Sequence, residues 1–198
     1  HFGLRVGRQE LAFGDQRVVG TANWLNTPRT FDAVRATVNY GPVRVDAFTS
    51  SVVNPVNGTF DHSKAGSDLH GLYGTISHIL PKSTIEPYIL WHLGPGLKTE
   101  EGLAARRSAK TVAVRLHGTP RDRVDYTVHV LRQFGTIGSD SISAYAMNFS
   151  LGYKWTKAPL QPRIFGDFAY ASGDKDAHDG RINTFDQMYP SGHGLYGI

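Results

Sequence analysis

Five arginines share a placement that could do chemistry. Arg5, Arg35, Arg44, Arg115 and Arg163 each stand opposite the apolar stripe of their own alternating stretch. In "FDAVRATVNY", for example, Val34, Ala36, Val38 and Tyr40 share one face, and Ala33, Arg35, Thr37 and Asn39 share the other. A guanidinium is a planar fork of donors that grips carboxylates and phosphates with paired hydrogen bonds. A ring of such forks would attract anions and bind carboxylates in passing. Asp46, Asp125, Asp167 and Glu86 fall on the same side as the arginines, which leaves a second reading open: each arginine pairs with a neighbouring acid and braces a wall. Arg8 breaks the pattern, because it and Glu10 fall on the face that Leu4 and Val6 mark as apolar. Either the strand has left the apolar zone by then, or a bulge at Gly7 turns Arg8 into the lumenal set.

Other chemistries find little support. The chain has no nucleophile-elbow pentad, no paired-histidine zinc helix and no phosphate loop; "GPGLKT" (94–99) lacks the final glycine of a dinucleotide fingerprint. The nine histidines show no ligand spacing, and His92, His117 and His129 lie on polar faces. The loop "SGDKDAHDG" places Asp174, Asp176 and Asp179 close together, a weak calcium signal without the spacing or closing Glu of an EF-hand. We therefore expect no catalysis, no cofactor and no metal beyond that calcium possibility.

The elements that must carry these residues are strands. Period-two alternation recurs in "VRVDAFTSSVV", "STIEPYILWH", "TVAVRLH", "RVDYTVHV", "SISAYAMNFSLGYKW" and, less cleanly, "RIFGDFAYA". The exception is "EEGLAARRSAK" (100–110), where Leu103, Arg106 and Arg107 fit a short helix. Connections alternate long and short: about 11–30, 54–68, 94–109 and 172–194 are long, and 41–42, 80–83, 118–123 and 155–162 are short, with a medium one at 135–141. Short turns at one end and long loops at the other describe an outer-membrane meander. Tyr40, Trp91, Tyr153 and Trp155 near strand ends suit interfacial girdles.

Composition agrees. There are 14 Arg, 7 Lys and no Cys in 198 residues, which excludes disulfides and thiol chemistry. A net charge of +4 falls well short of a nucleic-acid-binding tail, and no apolar run reaches the length of a membrane helix. A mean hydropathy of −0.30 is compatible with a barrel, since only alternate residues face lipid. The fold class is thus all-β: an antiparallel up-and-down transmembrane β-barrel, present as one domain (1–198) incomplete at both ends. About 9–10 strands are expected, of a barrel of about 16–18.

The stretch "GRQELAFGDQRVVGTANWLNTPRTFDAVR" resembles the signature of the alginate-export family of Gram-negative outer-membrane barrels, through Gly7, Arg8, Gln9, Glu10, Gly14, Asp15, Arg17, Gly20, Trp24, Asn26 and Arg29 to Asp32. "ASGDKDAHDGRINTFDQMYPSGHGLYGI" is similar to the family's later segment. The resemblance implies a large barrel in the outer membrane, passing a polyuronate outward through an Arg-lined pore. It implies an anionic polysaccharide, outer-membrane lipid and periplasmic secretion-complex proteins as partners. Arg5, Arg8, Arg35, Arg44, Arg115, Arg163, Asp46, Asp125 and Asp167 are the candidate lumenal contacts. A general porin for small anionic solutes is the alternative.

Overall fold

A computed structural model describes residues 1–24 and 26–193. Nine strands run as an antiparallel meander: β1 (Phe2–Gln9), β2 (Phe31–Tyr40), β3 (Val43–Asn54), β4 (His62–Ser77), β5 (Ser83–Lys98), β6 (Ala104–Arg121), β7 (Val124–Ile137), β8 (Asp140–Lys154) and β9 (Arg163–Ala171). A two-residue β10 (Arg181–Ile182) pairs parallel with β8. No pairing joins β1 to β9 among the described residues, so the sheet is an open arc of barrel wall.

The two faces of that wall decide its surroundings. Leu4, Val6, Val38, Leu72, Val112, Val114, Val130, Leu151 and Phe168 are exposed on one face. Asp46, Glu86, His92, Thr111, Arg115, His129, Gln133 and Asn148 are buried on the other. A water-soluble sheet inverts this arrangement; a lipid-facing one requires it. Tyr40, Tyr153 and Trp155 border the apolar band at the short-turn end, with Tyr153 and Trp155 packed edge to face at 4.9 Å. At the opposite border the outward residues turn polar: Ser108, Thr136 and Ser141 lie in adjacent register, and Thr49 bonds His70 at 2.7 Å.

Three expectations from the sequence need correction, and the two readings left open for Arg8 are decided. "EEGLAARRSAK" forms a turn and then the start of β6, because Arg107 pairs with Gly94 across the ladder and no helix competes with that pairing. Loop lengths do not alternate strictly: β4 to β8 have 14 to 18 residues and extend past the membrane band, so residues 94–109 are mostly strand and the β7–β8 turn is tight. The register runs unbroken through Gly7 (Val6 with Val34, Gly7 with Ala33, Arg8 with Asp32), so no bulge turns Arg8 inward. Arg8 stays on the outer face beyond the apolar band, bonded to the Asp32 carboxylate at 2.9 Å and the Asp61 carbonyl at 3.0 Å. Finally, β10 does not continue the meander but belongs to a segment that folds inward.

That segment and another fill the concave side. Residues 10–21 leave β1 through Gln9, whose buried amide donates to the Ala33 carbonyl at 3.1 Å. Leu11, Phe13, Val18 and Val19 then pack with the inward Phe31, Phe48, Leu69, Tyr73, Leu90 and Ala144 of the wall. Phe13 stacks on Phe48 of β3 and on Tyr73 of β4 at 5.1 and 4.7 Å, while Arg17 bonds Asp167 of β9 at 3.2 Å. On a flat sheet β3 and β9 would stand about 29 Å apart. Phe13 and Arg17 are four residues apart, yet this one short segment reaches both β3 and β9, so the wall curves around it. The second segment, 183–191, lies beside the first: Val19 bridges Tyr189 in parallel, with main-chain bonds Gly20 to Tyr189 at 2.8 Å and Tyr189 to Val18 at 3.0 Å. The hydrophobic core therefore sits in the lumen, between wall and insert.

The band predicts an asymmetric response to charge. Val114→Arg, mid-band, should lower unfolding stability in lipid vesicles by about 2–4 kcal/mol, and Thr136→Arg, beyond the band, by about 1 or less. Urea titration followed by tryptophan fluorescence on the natural full-length protein measures both.

Candidate lumenal site

Three clusters of charge line the inner wall. Near the short-turn end, Asp46 is almost fully enclosed and accepts bonds from Arg35 Nε at 3.0 Å, from Arg44 Nε at 2.8 Å and from Thr37. Adjacent strands place these groups: Thr37 stands opposite Asp46, and Arg5 opposite Arg35. Arg5 makes no ion pair among the described residues, and it lines an open groove with Arg35, Thr37 and Arg44. Two guanidinium groups therefore share one carboxylate while a third, Arg5, stands beside them, a local surplus of positive charge. Arg35 also lies over the Phe13 ring at 4.9 Å, so the insert caps this cluster from inside.

The middle cluster joins wall to insert. Arg115 bonds Glu86 at 2.6 Å and approaches Asp15 at 3.7 Å; Arg17 bonds Asp15 at 3.1 Å and Asp167 at 3.2 Å. Asn148 donates to Asp167 at 3.1 Å, and Tyr88 Oη meets His129 Nε2 at 2.7 Å. Buried charge is costly unless paired and hydrogen-bonded, and here each buried guanidinium is paired with a carboxylate from wall or insert, although Arg115 Nε itself has no hydrogen-bond partner. The turn presenting Asp15 depends on Gly14, which has φ +56°; a Cβ there would lie 2.8 Å from Tyr73 Oη.

The third cluster, toward the long-loop end, holds the second insert. Arg107 Nη1 donates to Asp186 Oδ2 at 2.6 Å, and Arg107 Nη2 donates to His92 Nε2 at 2.6 Å. Because His92 Nε2 accepts, its Nδ1 carries the proton and donates to the same Asp186 oxygen at 3.1 Å. Tyr189 Oη reaches His92 and Ser67, each at 3.2 Å. The Gln133 amide reads the main chain of Asp186 in both directions, accepting its N–H at 3.0 Å and donating to its carbonyl at 3.2 Å. Burial alone would raise the Asp186 carboxyl pKa; the His92 N–H and the Arg107 charge outweigh it and hold the group below the ordinary carboxylate range.

The structure thus gathers Arg5, Arg35, Arg44 and Asp46 into one cluster and links Arg115 to Asp167 through Asp15 and Arg17. Arg163 and Asp125 form a separate two-bond pair near the short turns, with Arg163 Nε to Asp125 Oδ1 at 3.0 Å. Arg8 lies on the other face. The three aspartates of the 174–179 loop do not converge: Asp174 accepts the Asn183 N–H at 3.0 Å, Asp176 that of His178 at 3.1 Å and Asp179 that of Arg181 at 2.8 Å. Among the described residues no group of three acids or histidines is placed to hold a metal ion.

Asp15, Arg17, Arg107, Asp186 and Tyr189 were missed as lumenal residues. Four of them sit in irregular stretches, where alternation assigns no face, and Arg107 fell in the presumed helix. Both irregular stretches carry the family-like motifs, and that was the available signal. The profile of the alginate-export family matches residues 1–198. The chain belongs to the alginate-export family. Comparisons with curated proteins and with solved structures gave no match. In this family member the "GDQR" and "TFDQMYP" blocks are therefore the two inserts, separated by most of the chain and hydrogen-bonded to each other. The last five residues of the second block, 194–198, lie outside the described residues.

Gly14→Val should loosen the first insert by about 1–2 kcal/mol through its left-handed backbone, and trypsin should then cleave after Arg17, whose side chain is otherwise sealed. Limited proteolysis of the natural full-length protein checks this. Because the Asp186 carboxyl is held low, its contact stabilises docking above the ordinary aspartate value near ~3.9 and is lost as pH falls through the lower docked value. Single-channel conductance should be flat from about pH 8 to 5 and rise only below about 4.

Proposed function

We propose that the chain forms one arc of an outer-membrane channel that exports an acidic, alginate-like polysaccharide through an arginine-lined, anion-selective lumen. The groove lined by Arg5, Arg35 and Arg44, where Asp46 is bonded to Arg35 and Arg44 but not to Arg5, carries this reading. Carboxylates of a passing chain would exchange between forks that are already partly neutralised. Conduction needs such weak, multiple sites, because a strongly bound polymer would not leave. Arg115 and Arg163, held by Glu86 and Asp125, support the wall and contribute to the field more than to direct contact. No bond is made or broken. Family membership supports the Gram-negative outer membrane as the location, and the apolar outer face supports lipid as its surroundings. The short-turn end is the side on which periplasmic secretion proteins would meet the channel.

Planar-bilayer recordings on the natural full-length protein test the reading. Across a KCl gradient the wild type should favour chloride, and Arg5→Glu with Arg44→Glu should move the anion-to-cation permeability ratio toward or below unity. An unchanged ratio overturns the arginine mechanism. Chloride selectivity without any block by polyuronate would favour a general anion porin instead.

A further inference from the structure

We propose that the lipid-facing side of β6–β8, at its long-loop border, binds a phosphorylated glycolipid of the outer leaflet, with Lys110 and Arg132 holding its phosphate groups. The inference goes beyond the export reading, because it concerns the outside of the wall and is independent of what the lumen carries.

The outward residues change chemistry row by row from mid-band toward the long loops. In mid-band, Val114, Val130 and Met147 stand side by side on β6, β7 and β8. The next outward row is Val112, Arg132 and Tyr145. Beyond it come Lys110, Phe134 and Ser143, with Trp91 of β5 opposite Lys110. The row after that is Ser108, Thr136 and Ser141. Apolar side chains give way to cations set among aromatic rings, and these give way to hydroxyls. A glycolipid has the same order along its own length: acyl chains, then phosphates on a sugar, then further sugar hydroxyls. Aromatic rings mark the headgroup level of a membrane, so the two cations stand at the depth of the phosphates. Long loops lie on the extracellular side of such barrels, which makes this the outer leaflet.

Charge gives the sign of the partner. Lys110 and Arg132 are exposed on the lipid side, and neither makes an ion pair among the described residues. They are diagonal neighbours across an antiparallel pair, about 7–8 Å apart, close enough to meet on one phosphate. Arg132 Nη2 donates to Ser143 Oγ at 2.7 Å, which holds the guanidinium against the wall. Arg106, exposed on the same face of β6, carries the positive field further toward the loops. The acids of β5–β8 cannot answer these charges, because Glu86, Asp125 and Asp140 all have inward parity. Elsewhere on the rim the outward charges are answered by the protein itself: Arg8 of β1 bonds Asp32 at 2.9 Å and lies 4.0 Å from Asp61. A cation pair at the edge of hydrocarbon with no acid of its own is stabilised by negative headgroups. Guanidinium and ammonium groups both bind phosphate through charge-assisted hydrogen bonds, while the acyl chains of the same molecule cover Val112, Val114 and Val130.

Native mass spectrometry of the natural full-length protein in detergent, titrated with lipid A, tests the site. Lys110→Gln with Arg132→Gln should raise the apparent Kd roughly tenfold. Arg123→Gln with Lys157→Gln removes the same charge at the short-turn end and should leave the Kd unchanged. Lipid A stripped of its phosphates should bind the wild type as weakly as lipid A binds the double variant. Lys110→Gln alone, at an exposed position, should raise the Kd roughly threefold and carries the test where the double variant does not fold. An unchanged Kd in the double variant, or in Lys110→Gln where that variant stands in for it, overturns the site. So does an equal loss in the short-turn pair, or equally tight binding of the dephosphorylated lipid. Phosphatidylglycerol bound as tightly as lipid A, with the same dependence on Lys110, overturns the glycolipid as occupant. Each of these failures leaves the export reading in place.

Discussion

A strand that crosses lipid must pair its backbone with neighbouring strands and turn apolar side chains outward, because hydrocarbon offers no hydrogen-bond partner. The rest of this structure follows from that constraint. With period two, an apolar outer face forces the alternate residues inward, where Arg35, Asp46, Glu86, Arg115, Gln133 and Asn148 collect. These groups cannot remain bare against one another. The wall meets part of the demand by pairing across strands, as Arg35 does with Asp46 and Arg115 with Glu86. The two inserts meet much of the rest.

The inserts work because they carry both kinds of contact. Leu11, Phe13, Val19 and Phe185 bury apolar surface against Phe31, Phe48, Leu69 and Leu90, giving the lumen a hydrophobic core. Asp15, Arg17 and Asp186 complete the wall's ion pairs. Apolar burial supplies attraction without direction, while the charged contacts fix register, since each has one geometry that satisfies its partners. The same pairs that seat the inserts occupy guanidinium groups that an anionic polymer would use. Arg5, which makes no ion pair among the described residues, instead lines an open groove.

Legibility along the chain was uneven for a physical reason. Regular strands announce their faces, so Arg5, Arg35, Arg44, Arg115 and Arg163 could be assigned from alternation alone to the face opposite the apolar stripe, and the ladder places all five on that face. Irregular segments have no period. Residues 10–21 and 183–191 read as loops at one end, although Leu11, Phe13, Val18 and Val19 are apolar enough for a core. Arg8 was ambiguous because parity and charge gave opposite answers; its place beyond the apolar band, paired with Asp32, removes the conflict. "EEGLAARRSAK" read as a helix because Leu103, Arg106 and Arg107 fall at helical spacing, yet ladder pairing with β5 outweighs weak local propensity.

The sequence by itself determined the class of sheet, the face of the residues in the cleanly alternating strands, the absence of cysteine from these residues and the family. These depend on local alternation and composition, which neighbouring residues encode directly. Only the tertiary structure decided that the two motif blocks meet inside the wall and that Asp15 and Asp186 reach Arg115 and Arg107. Those contacts join residues about 80 to 100 positions apart. The curvature that brings them together is a property of the whole sheet, which no single stretch of sequence carries.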